Sequence, residues 1–190
     1  GGAGADTITA GGGADSITAG AGADSITAGA GNDTITLGAD TTADTLVMAA
    51  TNALNGVDTV SGFEVGAGAD KVDFTAATAA GYLEVTANTG TLDTSATGML
   101  ILDFDETNAA SNMTAAQLYA ASSTGGDTAG NAGETVYIAV TTDATNAADV
   151  FVFKATMNGT SDGFASIDHM VTLTGITDLS SSDTANWDVS

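Results

Sequence analysis

The chain has 190 residues, 43% of them apolar, with neither cysteine nor proline, and its 24 acidic residues face only Lys71 and Lys154, for a formal net charge of −22. That length and apolar content allow one sizeable core or two small ones. The charge argues against nucleic acid and anionic membranes as partners, the missing cysteine excludes disulfides, thiolate metal sites and cysteine nucleophiles, and no apolar run reaches the ~20 residues of a membrane-spanning helix.

Residues 1–36 divide every nine residues into GGAGADTIT, AGGGADSIT, AGAGADSIT and AGAGNDTIT. One phrase kept in register this long implies stacked units rather than independent elements. The closing TIT or SIT of each phrase alternates polar and apolar residues, which predicts a very short strand with Ile8, Ile17, Ile26 or Ile35 pointing inward. The preceding six residues are glycine, alanine and one or two of Asp or Asn, a composition that frees the backbone for positive φ and leaves carbonyls uncovered. Carbonyls beside a carboxylate form a hard-oxygen ligand set, and Ca²⁺ accepts roughly six to eight such oxygens with loose geometry. A chain carrying this much negative charge needs external cations to become compact, and without disulfides a bound metal is the usual staple.

These nonamers resemble the GGxGxDxUx repeats of the RTX proteins. The resemblance implies a right-handed parallel β-roll in which two nonamers complete one coil and each Ca²⁺ lies between stacked turns, held by carboxylates and backbone carbonyls. Carried onto this sequence, it pairs Asp6 with Asp24 on one flank, served by the turns of Gly2, Gly4, Gly20 and Gly22. It pairs Asp15 with Asp33 on the other, served by those of Gly11, Gly13, Gly29 and Gly31. The departures are Ala10, Ala19 and Ala28 at the first glycine position and Asn32 before Asp33.

After Thr36 the phrase loosens. LGADTTADTLVMAAT resumes the pattern at altered spacing with Asp44, Leu46 and Met48, and GVDTVSGFEVGAGADKVDFT continues it with Asp58, Val60, Phe63, Asp70, Val72 and Phe74. This stretch resembles the irregular coils that close RTX rolls, which makes Asp44, Asp58 and Asp70 further candidate ligands and residues 1–74 the expected roll. From Leu83 onward longer alternating runs appear: YLEVT, GMLILDF, TVYIAV, DVFVFKA and HMVTLTGI. They predict a β-sandwich-like antiparallel domain over 75–190, with one short helix near 114–122 in NMTAAQLYAASS, capped by Asn112 or Thr114. The last part, through Trp187, resembles the carboxy-terminal domain that follows RTX rolls and carries an uncleaved type I secretion signal. No amino-terminal signal peptide precedes the repeats, and the chain reads as the carboxy-terminal piece of a longer protein.

Three catalytic or metal motifs fail on context. Gly159 to Gly163 spells GxSxG, but NGTSDG between alternating strands predicts a hairpin loop and not a nucleophile elbow, and His169 reads as a half-exposed strand residue. No HExxH occurs, and the acidic cluster of Asp103, Asp105 and Glu106 lacks the spacing of an EF-hand loop and predicts a solvated turn.

The chain is therefore expected to be an all-β, non-enzymatic, calcium-binding segment of a structural surface protein. The concrete version, from the resemblance and the Thr-, Ala-, Gly- and Ser-rich make-up, is an S-layer subunit of a Gram-negative bacterium. It would leave the cell through type I secretion machinery, fold on extracellular Ca²⁺ and associate with further copies of itself, with neither nucleic acid nor membrane insertion involved. The alternative is an accessory domain of a secreted protease or lipase. Ice binding through threonine ladders is disfavoured, because rows such as Thr9 with Thr27 and Thr18 with Thr36 are only two deep within the repeats.

Overall fold

Thr and Ile are β-branched, so each TIT or SIT phrase favours extended backbone, while the Gly-Ala stretches between them turn the chain back. The structure is a computed structural model that describes residues 1–38, 40–49, 55–65, 70–74, 82–85, 99–103, 135–141, 148–157, 164–176 and 187–188. Among these residues are fifteen strands, numbered in chain order, and the class is all-β.

Two sheets carry the repeats. One stacks β2 (Thr7–Gly12), β5 (Ser25–Ala30), β7 (Thr45–Met48), β9 (Lys71–Phe74) and β15 (Trp187–Asp188), every pair parallel. The other begins with β3 (Ser16–Thr18), β6 (Thr34–Thr36) and β8 (Asp58–Ser61), again parallel. A short ladder of β1 (Gly2–Ala3) on β4 (Gly20–Ala21) links two successive turns. The chain alternates between the two sheets and returns to each one coil further on, as a β-roll requires.

Register places like residues on top of one another: Ile8, Ile26, Leu46 and Val72 in the first sheet, and Ile17, Ile35, Val60 and Leu173 in the second. Ile26, Ile35, Leu46, Val60 and Val72 are fully buried between the sheets, with Met48, Phe63 and Phe74 widening the core in the later coils. Each such side chain contributes roughly 1.5–3 kcal/mol by leaving water. Ile8, in the first coil, is only partly buried. Replacing Ile35 by Val should cost about 0.5–1.5 kcal/mol, and the same change at Ile8 should cost less; denaturant unfolding in calcium measures both.

The second sheet continues beyond the repeats through β14 (Phe164–Ile176), β13 (Ala148–Met157), β12 (Thr135–Thr141), β11 (Met99–Asp103) and β10 (Tyr82–Val85). Here the expected antiparallel sandwich needs correction. Among the described residues only β12–β13–β14 is antiparallel, while β10–β11–β12 is parallel and β14 runs parallel to β8. Connection length explains the difference: the segments 142–147 and 158–163 are short enough only for hairpins, whereas 86–98 and 104–134 have the length a parallel crossover needs. Among the described residues the second sheet runs from β3 of the repeats to β10. Phe74 of β9 stacks on Tyr137 of β12 with ring centroids 4.1 Å apart, so the roll and the later strands share one core. The expected helix at 114–122 lies outside the described residues, and no helix among the described residues is long and apolar enough to cross a membrane.

Candidate metal centre

Both flanks of the roll are built from stacked turns, and glycine is what lets them stack. At Gly20 the backbone has φ +119°, and a Cβ there would collide with the carbonyl oxygen of Gly2 in the turn above; Gly31, at φ +132°, stands in the same relation to the carbonyl of Gly13. Gly2, Gly4, Gly20 and Gly22 thus belong to the first flank, and Gly11, Gly13, Gly29 and Gly31 to the second, with main-chain oxygens of one turn facing the backbone of the next.

Each turn ends at an aspartate, and the aspartates form two ladders. On the first flank Asp6 N–H donates to Asp24 Oδ1 at 2.8 Å, Asp24 N–H to Asp44 Oδ1 at 2.9 Å, and Asp44 N–H to Asp70 Oδ1 at 2.9 Å. On the second, Asp15 N–H donates to Asp33 Oδ1 at 2.8 Å and Asp33 N–H to Asp58 Oδ1 at 3.0 Å. The carbonyls of Asp6, Asp24, Asp44, Asp15 and Asp33 accept from the amide of the residue after the next aspartate in the ladder, at 2.8–2.9 Å. All seven candidate aspartates therefore stand in line, and Asp24, Asp33, Asp44, Asp58 and Asp70 are buried, whereas Asp6 and Asp15 are half-buried.

Buried carboxylates in a column repel each other and lose hydration. Burial pushes the Asp58 carboxyl up to about 7, against the Asp33 amide that holds it down, and the Asp33 charge adds to the rise. Burial likewise raises Asp70 to about 6, opposed by the amides of Asp44 and Glu64, and raises Asp44. Two oxygens, Asp24 Oδ2 and Asp33 Oδ2, are buried without any hydrogen-bond partner. A buried carboxylate oxygen that no donor meets, in a flank of stacked glycine turns, suits a hard oxygen-seeking cation, so the residues present fit calcium. Among the described residues no three His, Cys, Asp or Glu side chains converge on one point. The carboxylates come one per turn, and a cation here would need backbone carbonyls to complete its shell.

The sequence reading missed several supporting groups. Asp40 stands eighteen residues after Gly22, and its Oδ2 accepts from Gly22 N–H at 2.8 Å. The equivalent amides of Gly4, Gly13 and Gly31 are met by the carbonyls of Ala21, Ala30 and Asn55, so the Asp40 carboxylate substitutes for a backbone acceptor where the third coil is two residues longer. The Thr42 hydroxyl, followed by the Gly22 and Thr42 amides, holds Asp40 below the usual carboxylate range. On the other flank Asn32 Oδ1 accepts from Val57 N–H at 3.0 Å, and the Asn55 side chain both accepts from and donates to Ala49, closing the longer turn. Counting eighteen from Gly22 would have found Asp40; no period would have found Asn55.

Of the remaining sequence candidates, His169 and Asp103 fall among the described residues. His169 is half-buried on β14 between the rings of Phe151 and Phe153, and its Nε2 lies 3.1 Å from the Thr172 hydroxyl; burial holds it below the ordinary histidine range. Gly159 to Gly163, Asp105 and Glu106 lie outside the described residues, and Asp103 ends β11.

Comparison with curated proteins and with solved structures gave no match. Comparison with protein families matched residues 1–41 to the RTX calcium-binding nonapeptide repeat (4 copies). The first 41 residues, whose turns carry Asp6, Asp15, Asp24 and Asp33, are therefore RTX repeats of the calcium-binding kind.

Proposed function

We propose that this chain is a calcium-gated structural segment of a secreted surface protein, with an S-layer subunit as its specific form. The observation that carries the calcium reading is the pair of buried, unpartnered oxygens, Asp24 Oδ2 and Asp33 Oδ2, inside the aspartate ladders. Asp6, Asp15, Asp24, Asp33, Asp44 and Asp58, with the main-chain oxygens of the glycine turns, would supply the ligands. Bound calcium neutralises the ladder and ties adjacent coils together. The carboxylates then become cross-links, and a segment that self-repels in calcium-poor cytosol becomes compact outside the cell.

Export by type I machinery through the carboxy-terminal part rests on the sequence resemblance. Self-association rests on the S-layer reading, with calcium shared between acidic faces as the attraction that offsets their repulsion. Calorimetric titration and light scattering on the intact chain, with calcium, with magnesium at equal ionic strength and with chelator, test the two halves separately. Calcium should give binding heat and growth in particle mass, and magnesium neither. A folded monomer at high calcium would remove the assembly, and absent binding heat would remove the metal.

A further inference from the structure

The rungs of the ladders are not alike. Asp24 and Asp33 each use one carboxylate oxygen to take the amide of the aspartate above, Asp6 or Asp15, and leave the other buried and unpartnered. Asp70, the last rung of the first flank, uses both. Its Oδ1 accepts from Asp44 N–H at 2.9 Å, its Oδ2 accepts from Glu64 N–H at 2.8 Å, and its own amide donates to the Glu64 carbonyl at 3.1 Å.

Resting on the reading that the ladders take calcium through Asp24 and Asp33, we propose that they fill selectively, with Asp70 a metal-free rung that ends the first flank. The physical difference is the sign of the potential at the second oxygen. Among the described residues no hydrogen-bond donor meets it at Asp24 or Asp33, so a cation there displaces no existing bond. At Asp70 two N–H dipoles already direct their positive ends at the carboxylate, so a cation would have to approach against them or displace them. Asp70 pins the Glu64 backbone to its own, a structural task that needs the carboxylate but no ion.

Asparagine substitutions separate these roles, because the amide oxygen can still accept the N–H from the rung above while a donor replaces the second oxygen. Native mass spectrometry of the intact chain at saturating calcium should find one ion fewer in Asp24→Asn and in Asp33→Asn than in wild type. Asp70→Asn should keep the full complement while melting at lower temperature, since it loses the Glu64 hydrogen bond. Should a variant fail to fold, anomalous scattering from wild-type crystals grown in calcium decides the matter, with peaks expected beside Asp24 and Asp33 and none at Asp70. An Asp70→Asn chain short of one ion, a full complement in Asp24→Asn or Asp33→Asn, or an anomalous peak at Asp70 would overturn the selective filling. A wild-type chain that binds no calcium at all would overturn the underlying calcium reading instead.

Discussion

In chelator the repeat coils should lose their strand signal, and millimolar calcium should restore it over a narrow concentration range. The ladders place five buried aspartates in two columns, a charge arrangement that opposes folding unless a counter-ion enters. Extracellular calcium modules typically have dissociation constants of about 10⁻⁴ to 10⁻³ M, and at tenfold excess each site adds about 1.4 kcal/mol by mass action. Because the rungs share hydrogen bonds, occupancy of one site orders the turn that builds the next, and the transition steepens. Circular dichroism through a calcium titration measures this directly. A complete β spectrum in EDTA would count against gating.

Acid should do part of the work of the metal. A carboxyl whose pKa is raised by folding contributes stability that is fully present below its unfolded value of about 3.9 and is lost as pH rises through the folded value. For Asp70 that upper limit is about 6 and for Asp58 about 7, and Asp44 shifts in the same direction. In chelator the repeat coils should therefore regain strand signal as the pH is lowered from about 8 to about 5. In calcium acid should instead weaken the fold, because protons then compete with the metal for the ladder carboxylates that hold it. Circular dichroism along both pH series provides the comparison, and a chelator series that is flat with pH would contradict the burial of these carboxyls.

The repeats were legible because each function has a fixed place in the nonamer: the glycines permit close stacking, Asp makes the rung and Ile fills the core. Even where the spacing drifts, the phrase of an Asp followed two residues later by an apolar residue located Asp44, Asp58 and Asp70 and the core positions Leu46, Val60 and Val72. Strand identities in the second half were legible from alternation. Their directions were not, because alternation reports which face is buried and says nothing about whether the neighbour runs up or down. The pairing of β14 with β8 depends on Leu173 continuing the column of Ile17, Ile35 and Val60, a match between distant residues that no local pattern announces.

That pairing also sets an order of events during folding. Successive coils are closed by loops of eighteen residues in the regular repeats, whereas Thr174 reaches Val60 across 114 residues. At ~0.6 kcal/mol for each doubling of loop length, closing the longer loop costs roughly 1.6 kcal/mol more. The coils therefore zip first by short closures, and β14 arrives late on a template already made. Until then the β8 edge lies bare, and a neighbouring chain's β14, offering the same residues, can take the place of the chain's own.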